Sequence, residues 1–335
     1  MSEALPHAAL EAYMRQQFGA ALDTIEPIGG GQSNPTFFIT VGTQRLVLRK
    51  QPHGPILKGA HAVDREYRVL QALSRTDVPV PAPLLYCADP EILGTPFYVM
   101  ERIEGRVFHD AALPEITRDE RSALYRSMAE TLAKLHALDP NEIGLSDFGR
   151  PGNYFDRQLA RWSKQWQESS VTSIPALDQL IEALARALPS DDGIVSIVHG
   201  DYRMGNLMVH PTEPRVIGVL DWELSTLGHP LADLGFAAMA WHMTPKDYGG
   251  IAGLDFENLG IPTKEAFVSA YMNHAKDKSP LMPFHIAFAL FRFAVIFVGI
   301  AERARLGNAA GKNAAEIAPL AQRFAEIGLS IMRNG

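Results

Sequence analysis

The sequence predicts an α+β protein of two folded units, a small β-rich N-terminal lobe and a larger, mainly helical C-terminal lobe. Its 335 residues are enough for two hydrophobic cores, at roughly 100–200 residues per domain. Up to about residue 103 the chain offers short β-like runs around one helical pattern, and after Gly105 the pattern is mostly helical. We therefore expect lobes at 1–103 and 104–335, with a ligand in the cleft between them.

The N-terminal lobe is predicted to hold a small sheet and one long helix. Short β-like runs predict strands at 37–41, 45–50 and 96–103. A helical pattern from Gly59 to Arg75 predicts the helix. The first 19 residues mix charged, proline and apolar positions, which favours a short surface helix over a secretory signal.

The C-terminal lobe is predicted to be helical, with two strand-like pieces at 207–210 and 216–221 joined by a hairpin-type connection. Phe284 to Ala301 has almost the length of a membrane span but contains His285 and Arg292, which favours a buried core helix. The predicted helices of this lobe are 118–138, 153–169, 175–188, 231–242, 263–277, 283–306 and 312–333.

Composition excludes several classes of protein. The chain has 31 Lys+Arg against 38 Asp+Glu, a formal net charge of -7, and no block of basic residues, so we expect neither nucleic acid nor an anionic membrane as partner. The single cysteine, Cys87, can form no internal disulfide and no zinc site of Cys ligands. It is predicted to be buried in a cytoplasmic protein, and the sequence carries no signal for an oligomeric state.

The most informative stretch is IVHGDYRMGNLMVH at 197–210, followed by VIGVLDWELSTLGHPLADLGF at 216–236. The pattern HGDxxxxN from His199 to Asn206, with Asp221 ending the next strand, resembles the aminoglycoside phosphotransferase family. That resemblance extends over most of the chain, and implies a bilobal protein-kinase-like fold. It is closest to the kinase-like domains fused to acyl-CoA dehydrogenases in some eukaryotes.

The resemblance assigns roles in phosphoryl transfer to three side chains. Asp201 would be the base near the acceptor hydroxyl, and Asn206 and Asp221 would hold Mg²⁺. Oxygen ligands suit this ion, which completes its coordination with ATP oxygens and water. An alternative is that these residues are polar turns at strand ends, and their combined order favours the functional interpretation.

Three neighbouring residues are weighed separately. His199 is expected to support the loop rather than act as a base. Asp233, in HPLADLG, resembles the buried aspartate that holds the backbone of the catalytic loop. For Glu223 a functional role and a merely exposed acidic position stay equally open.

The N-terminal lobe is expected to bind the nucleotide. A glycine-rich loop before a basic strand could bring backbone N–H groups close to phosphate. It departs from GxGxxG because Asn34 stands where the last glycine would be, and a plain hairpin turn is the alternative. The candidate residues are Gly29, Gly30, Gly31, Gln32, Ser33 and Asn34.

The basic residue of the next strand is ambiguous, since Arg49 and Lys50 point to opposite faces. Arg49 takes the place of the lysine in the kinase pattern and is chosen to bind phosphate, with Lys50 expected in solvent. Glu66 borders the apolar face of the predicted helix, and is the candidate to pair with Arg49. An ordinary surface glutamate is the alternative.

The segment FYVMERIEG at 97–105 resembles the hinge between kinase lobes, where backbone groups bind adenine. Met100 would lie at the back of the pocket. The C=O of Glu101 and the N–H of Ile103 would be the adenine partners. Without the resemblance, Met100 would be interpreted as an ordinary core residue.

The implied function is that of an ATP- and Mg²⁺-dependent kinase acting on the hydroxyl of a small molecule. The relatives fused to acyl-CoA dehydrogenases imply a hydroxyacyl-CoA or a similar anion as acceptor; an aminoglycoside or other amino-alcohol kinase and a non-catalytic nucleotide-binding regulator are the alternatives. Intact Asp201, Asn206 and Asp221 disfavour the regulator. The charges after Ala301 disfavour a polycationic acceptor; they are Glu302, Glu316 and Glu326 against Arg303, Arg305, Lys312, Arg323 and Arg333.

Overall fold

The computed structural model describes residues 5–29, 34–53, 61–170, 173–305 and 314–334, without the side chains of 303–305 and 314–318. The chain divides into two compact units. An N-terminal unit comprises Met1–Gly105 with Ile217–Glu223, and a C-terminal unit comprises Arg106–Val216 with Leu224–Gly335. The predicted α+β class, with a β-rich and a mainly helical part, is confirmed. The 103/104 boundary placed Ile217–Glu223 with the helical part, whereas the structure places it with the sheet.

The N-terminal unit is built on a five-stranded antiparallel sheet with strand order β1-β2-β3-β5-β4. The strands are β1 (Leu22–Pro27), β2 (Thr36–Val41), β3 (Gln44–Lys50), β4 (Pro83–Cys87) and β5 (Phe97–Glu101). The helices of this unit are α1 (His7–Phe18), α2 (Val63–Leu73) and α3 (Pro90–Leu93). Three of these strands were predicted from their alternation, and both edge strands were not.

One face of this sheet packs against α1. Leu10 and Met14 of α1 belong to the same buried cluster as Leu46 and Leu48 of β3. Alternation along the strand places Lys50 on the same face as these leucines. Lys50 is only 1% exposed, so the prediction that it lies in solvent is wrong. Lys50 is buried because it shares the face of β3 that carries Leu46 and Leu48, which is core rather than solvent-facing.

The helix α2 presents a buried stripe that includes one carboxylate. Val63, Leu70 and Leu73 are buried, and Glu66 is 1% exposed among them. An acidic residue in the first turn is also favoured by the helix dipole. The helix starts later than predicted, at Val63; residues 59–60 of the predicted helix lie outside the described part of the chain.

The C-terminal unit is mostly helical, as the sequence predicts. Its helices are α4 (Arg118–Ala137), α5 (Tyr154–Gln167), α6 (Pro175–Arg186), α7 (Pro230–Ala238), α8 (Phe256–Leu259), α9 (Lys264–His274), α10 (Pro283–Arg305) and α11 (Ala314–Asn334). Four short strands accompany them: β6 (Ser196–Val198), β7 (Leu207–Val209), β8 (Val216–Val219) and β9 (Thr226–Gly228). The boundary between the units falls within β8.

The helix α10 is the core of the C-terminal unit and packs against α5, α6, α7 and α11. Among the described residues, one helical segment, Pro283–Glu302, is long enough and apolar enough to cross a membrane. However, 78% of its most apolar 18-residue window is buried inside the protein. His285 and Arg292 are each 5% exposed within it. The predicted core helix is therefore present.

Packing of α7 on α10 depends on the absence of a side chain at Gly235. A Cβ atom added there would lie 2.5 Å from the carbonyl oxygen of His285. Gly235→Ala should therefore lower the free energy of unfolding by about 1–3 kcal/mol, as other overpacked cores do. Urea denaturation measures this. Gly29→Ala is the control, because its methyl group meets no described atom within 4 Å; equal losses in the two variants would contradict the close approach.

Candidate active site

The segment between β6 and β7 carries the HGDxxxxN pattern and turns sharply at Gly200. Gly200 has a φ of 85°, and a Cβ atom there would lie 2.7 Å from the carbonyl oxygen of Leu224. Glycine is required for both reasons. A short 3₁₀ turn, Met204–Asn206, leads from this bend into β7.

A buried carboxylate holds this loop by its backbone. Asp233, which is fully buried on α7, accepts hydrogen bonds from the N–H of His199 at 2.5 Å and of Gly200 at 2.8 Å. Its Oδ2 also lies 3.3 Å from Nε2 of His136. Burial raises the pKa of Asp233, but these bonds and the neighbouring histidines outweigh it and hold the pKa below its ordinary value. The structure thus places Asp233 where the sequence predicts.

Asp201 and Asn206 lie together in the C-terminal unit. The amide Nδ2 of Asn206 donates to Oδ2 of Asp201 at 2.7 Å and to its backbone carbonyl at 2.9 Å. Nε of Arg203 lies 3.3 Å from Oδ1 of Asp201. The donating amide turns Oδ1 of Asn206 away from Asp201, which makes it available to a cation.

His199 is buried within the same loop. Its Nδ1 accepts a hydrogen bond from the N–H of Asp201 at 3.2 Å, and its ring is 0% exposed. Arg292 reaches the other side of the bend, with Nη2 3.4 Å from the carbonyl oxygen of Gly200. The imidazole therefore contacts the backbone of its own loop, consistent with the supporting role expected from the sequence.

In the N-terminal unit, Arg49 of β3 is surrounded by carboxylates. Its Nε lies 2.7 Å from Oε2 of Glu66, and its Nη2 donates to Oδ1 of Asp221 at 2.8 Å. Glu223 is further away, with Oε2 4.0 Å from Nη2. The structure thus brings together the Arg49 and Glu66 pair that the sequence predicts.

The charges of this cluster support one another. Burial lowers the pKa of Arg49, but the carboxylates of Glu66 and Asp221 more than offset this and raise it overall. Burial raises the pKa of the Glu66 carboxyl, and Arg49 opposes that rise. The hydroxyl of Tyr98, on β5, also donates to Oε2 of Glu66 at 3.0 Å. The result is a close ion pair of Arg49 and Glu66, whose carboxylate also accepts a hydrogen bond from Tyr98.

Asp221 is held in a strained backbone conformation. Its φ is 64°, in the left-handed region where Asp is among the few non-glycine residues tolerated. Its Oδ1 accepts from Arg49, which leaves Oδ2 for another partner. Such strain is found most often at functional positions.

The glycine-rich loop is described only at its ends. Gly30, Gly31, Gln32 and Ser33 lie outside the described residues. Gly29 is exposed, whereas Asn34 is 3% exposed and its Nδ2 donates to Oε1 of Glu66 at 2.5 Å. The loop therefore ends at the Arg49 cluster.

The segment proposed as a hinge follows β5. Met100 pairs with Val47 and Pro83 in the sheet, and the N–H of Glu101 donates to the carbonyl of Ala82 at 2.8 Å. Ile103 lies beyond the strand, and its N–H has no backbone acceptor among the described residues. A backbone donor at this point is what an adenine ring would need.

Sequence reasoning missed residues that act across elements. Tyr98 contacts Glu66, and Arg49 and Tyr98 are direct partners between β3 and β5, so pairing the two predicted strands could have found it. His136 lies within a long helical pattern and carries no local signal, and Arg292 is marked only as a charge inside an apolar helix. Their contacts with Asp233 and Gly200 depend on helix packing.

A sheet unit with a buried Arg–Glu pair and a helical unit with an HGDxxxxN loop define the protein-kinase-like class of phosphotransferases. The family model described as "Phosphotransferase enzyme family" matches residues 24–260. The chain belongs to this family.

Two curated relatives match nearly the whole of this chain. It is 42% identical over 330 residues to acyl-CoA dehydrogenase family member 11 of Gallus gallus, covering 97% of this chain and 42% of the relative. It is 40% identical over 349 residues to the Homo sapiens protein of the same name, covering 100% of this chain and 44% of the relative. The chain therefore spans about two fifths of the length of the curated relatives it matches.

Solved structures share the fold. A Ralstonia eutropha chain, provisionally named an aminoglycoside phosphotransferase, is 44% identical with a TM-score of 0.89, covering 98% of this chain and 99% of that one. The aminoglycoside phosphotransferase APH(4)-Ia, in ternary complex with AMP-PNP and hygromycin B, is 16% identical with a TM-score of 0.65, covering 98% of both. The second likeness concerns the fold alone.

The loop geometry predicts a pH-dependent cost for losing Asp233. Asp233→Asn should direct an NH₂ group toward N–H donors and lower the free energy of unfolding, on the order of 3–5 kcal/mol near pH 7. Because the folded-state pKa is depressed, the stabilisation is complete above the ordinary aspartate pKa and is lost as pH falls through the folded value. Urea denaturation from pH 7 to 3 measures the difference between the two proteins. A difference independent of pH would contradict this account.

Proposed function

We propose that the protein is an ATP- and Mg²⁺-dependent kinase that transfers the γ-phosphoryl group to a hydroxyl of a small molecule. The observation that carries this proposal is the loop in which Asn206 donates to Asp201 while Asp233 holds the backbone. Membership of the phosphotransferase family supports the reaction class. The AMP-PNP bound to APH(4)-Ia supports ATP as the donor.

Asp201 serves as the base in this proposal. Its carboxylate is fixed by Asn206 and Arg203, and its side chain keeps 22% exposure, so an acceptor hydroxyl can approach it. The carboxylate orients the hydroxyl oxygen toward the γ-phosphorus and takes its proton as the new O–P bond forms, while the bond from the γ-phosphorus to the bridging oxygen breaks and ADP leaves. Asp233 and Gly200 keep the carboxylate in place during this step.

The metal role belongs to Asn206 and Asp221. Both offer oxygen atoms, Oδ1 of Asn206 and Oδ2 of Asp221, which suit Mg²⁺. When bound, the ion neutralises charge on the phosphate oxygens. Among the described residues, no three or more His, Cys, Asp or Glu form a metal site, and phosphate oxygens would complete a site with few protein ligands.

Arg49 binds phosphate oxygens in this proposal, and Glu66 orients its guanidinium. A planar guanidinium donates two parallel hydrogen bonds, which a lysine cannot do. The glycine-rich loop, of which Gly29 alone lies within the described residues before Asn34, would cover the phosphates and exclude water. Met100, Glu101 and Ile103 bind the adenine, with the N–H of Ile103 as donor.

The acceptor proposed is a hydroxyacyl-CoA or a similar anionic hydroxylated metabolite. The support is the identity, over nearly the whole chain, to proteins named acyl-CoA dehydrogenase family member 11. Of the basic residues near the C-terminus, Arg323 pairs with Asp247 at 3.2 Å and Arg333 donates to Gln179. Recognition of anionic groups would then fall to other basic residues. A cytoplasmic location, with buried Cys87 reduced, fits this function.

Asp201→Asn should reduce phosphoryl transfer by about 100-fold or more, the range for losing a general base. The new amide can still accept from Asn206 through its oxygen, so ATP affinity should change little. Calorimetric ATP titration and product formation measure the two quantities. Asp119→Asn is the control, because Asp119 is 95% exposed. Unchanged transfer by Asp201→Asn would show that another group is the base.

A panel of acceptors should separate the candidate functions. ADP release should be stimulated by hydroxyacyl-CoAs and not by aminoglycosides, choline or sugars, with the phosphorylated product verified by mass spectrometry. Stimulation by aminoglycosides or choline alone would favour an amino-alcohol kinase. ATP binding with no stimulation by any class would favour a non-catalytic nucleotide-binding regulator.

A further inference from the structure

We propose that the side chain of Asn34 is a positioning group that fixes Glu66, and through it Arg49, rather than a side-chain ligand of the nucleotide phosphates. The inference rests on the proposed nucleotide site, and reassigns a residue that the sequence places in the glycine-rich phosphate loop. It concerns the N-terminal unit alone.

Both polar atoms of the Asn34 side chain are used inside the protein. Nδ2 donates to Oε1 of Glu66 at 2.5 Å, and Oδ1 lies 3.0 Å from Nδ1 of His61. The residue is 3% exposed. A phosphate contact by this side chain would need at least one of these atoms turned toward the nucleotide, which would break a buried hydrogen bond.

The donor and acceptor roles in the series of hydrogen bonds from Glu66 through Asn34 to His61 follow from the charge of Glu66. An ionised carboxylate can only accept, and Glu66 is paired with Arg49 at 2.7 Å, so the NH₂ group of Asn34 must face it. Oδ1 of Asn34 then accepts, and Nδ1 of His61 must carry a hydrogen. His61 is held in turn by Nε2 of Gln51, which donates to its carbonyl at 3.2 Å.

A second path ties Asn34 to Arg49 through the backbone. The hydroxyl of Thr36 donates to the carbonyl of Asn34 at 2.9 Å, and Nη1 of Arg49 lies 3.5 Å from the same hydroxyl oxygen. Asn34 therefore contacts the surroundings of Arg49 with its side chain and its main chain. Displacing it would change both.

The charge of the cluster explains why an amide suits this position. Arg49 already faces three carboxylates, those of Glu66, Asp221 and Glu223. An aspartate at position 34 would add a negative charge within hydrogen-bond distance of Glu66. A glycine, as in GxGxxG, would leave Oε1 of Glu66 without this donor and favour its neutral form. An amide supplies the donor without adding charge.

Loss of the amide should redirect Arg49. The two carboxylates that contact it most closely are Glu66 and Asp221, at 2.7 and 2.8 Å. If Glu66 were released or protonated, the guanidinium would keep Asp221 as its one close carboxylate, with Thr36 and Glu223 at 3.5 and 4.0 Å, and its direction would be less firmly fixed. Affinity for the ATP phosphates should fall although no phosphate ligand is removed.

The test exchanges the two partners. Asn34→Asp should weaken ATP binding at pH 7.5 by about tenfold or more, because it sets two carboxylates against each other. The double variant Asn34→Asp with Glu66→Gln restores one donor and one acceptor, keeps an acceptor for His61, Tyr98 and Arg49, and should regain most of the affinity. Calorimetric titration of the full chain with ATP measures both, and thermal melting monitors folding.

The pH dependence supplies a second readout. In Asn34→Asp the two carboxyl groups can share a proton, so ATP affinity should recover relative to wild type between pH 7.5 and 5.5. The double variant has one carboxylate there and should not show this recovery. A purely structural defect would leave the ratio between variant and wild type constant with pH.

A direct phosphate ligand gives different results. Asn34→Ala and Glu66→Ala should together cost no more affinity than the larger single loss, whereas independent ligands would show additive losses in binding free energy. Additive losses, or no rescue by the double variant, would overturn the proposal. This cycle also decides the matter if Asn34→Asp does not fold. Wild type that binds no ATP would overturn the proposed function itself, a result separate from all of these.

Discussion

The loop that carries Asp201 and Asn206 depends on a carboxylate buried beneath it. Removing Asp233 from water costs several kcal/mol, and two backbone N–H groups and His136 offset that cost. The backbone bends at Gly200, which places both N–H groups on one side. A side chain at this position would clash with Leu224. The position of Asp201 is therefore set by groups that are buried in the protein, Asp233 and His136. Tyr271 extends this network, with its hydroxyl 2.8 Å from Nδ1 of His136.

Elements with strong periodicity were predictable from the sequence, and those at sheet edges were not. The strands β2, β3 and β5 and most long helices were found because their apolar positions recur at the spacing of the structure. β1 lies at one edge and is exposed at most positions, so alternation is weak. β4 begins with proline at the other edge and shows little burial before Cys87. Edge strands take their register from a neighbour, which a single segment does not reveal.

The residues of the candidate site likewise divide into those that the sequence predicts and those that it does not. Several site residues could be predicted from the sequence because a motif or a helical stripe marks each one. They are Arg49, Glu66, Asp201, Asn206 and Asp233. Lys50 was misjudged because solvent exposure of a strand face depends on what packs against it, and here that face is core. Asn34 was placed in the loop by position, and only the contact with Glu66 shows how its side chain is used. Such contacts join residues 32 positions apart and leave no local pattern.

The pairing of Arg49 with Asp221 links two roles that the proposed function keeps separate. In the proposed function phosphate would compete with Asp221 for Arg49, because Nη2 of Arg49 donates to Oδ1 of Asp221 at 2.8 Å, whereas Oδ2 of Asp221 is the atom proposed to hold the cation. A nucleotide without metal would approach one guanidinium surrounded by three carboxylates, and would be repelled. A metal–nucleotide complex would supply a cation for Asp221 and phosphate oxygens for Arg49 at once. In the proposed function this arrangement would therefore favour the complex over either component alone.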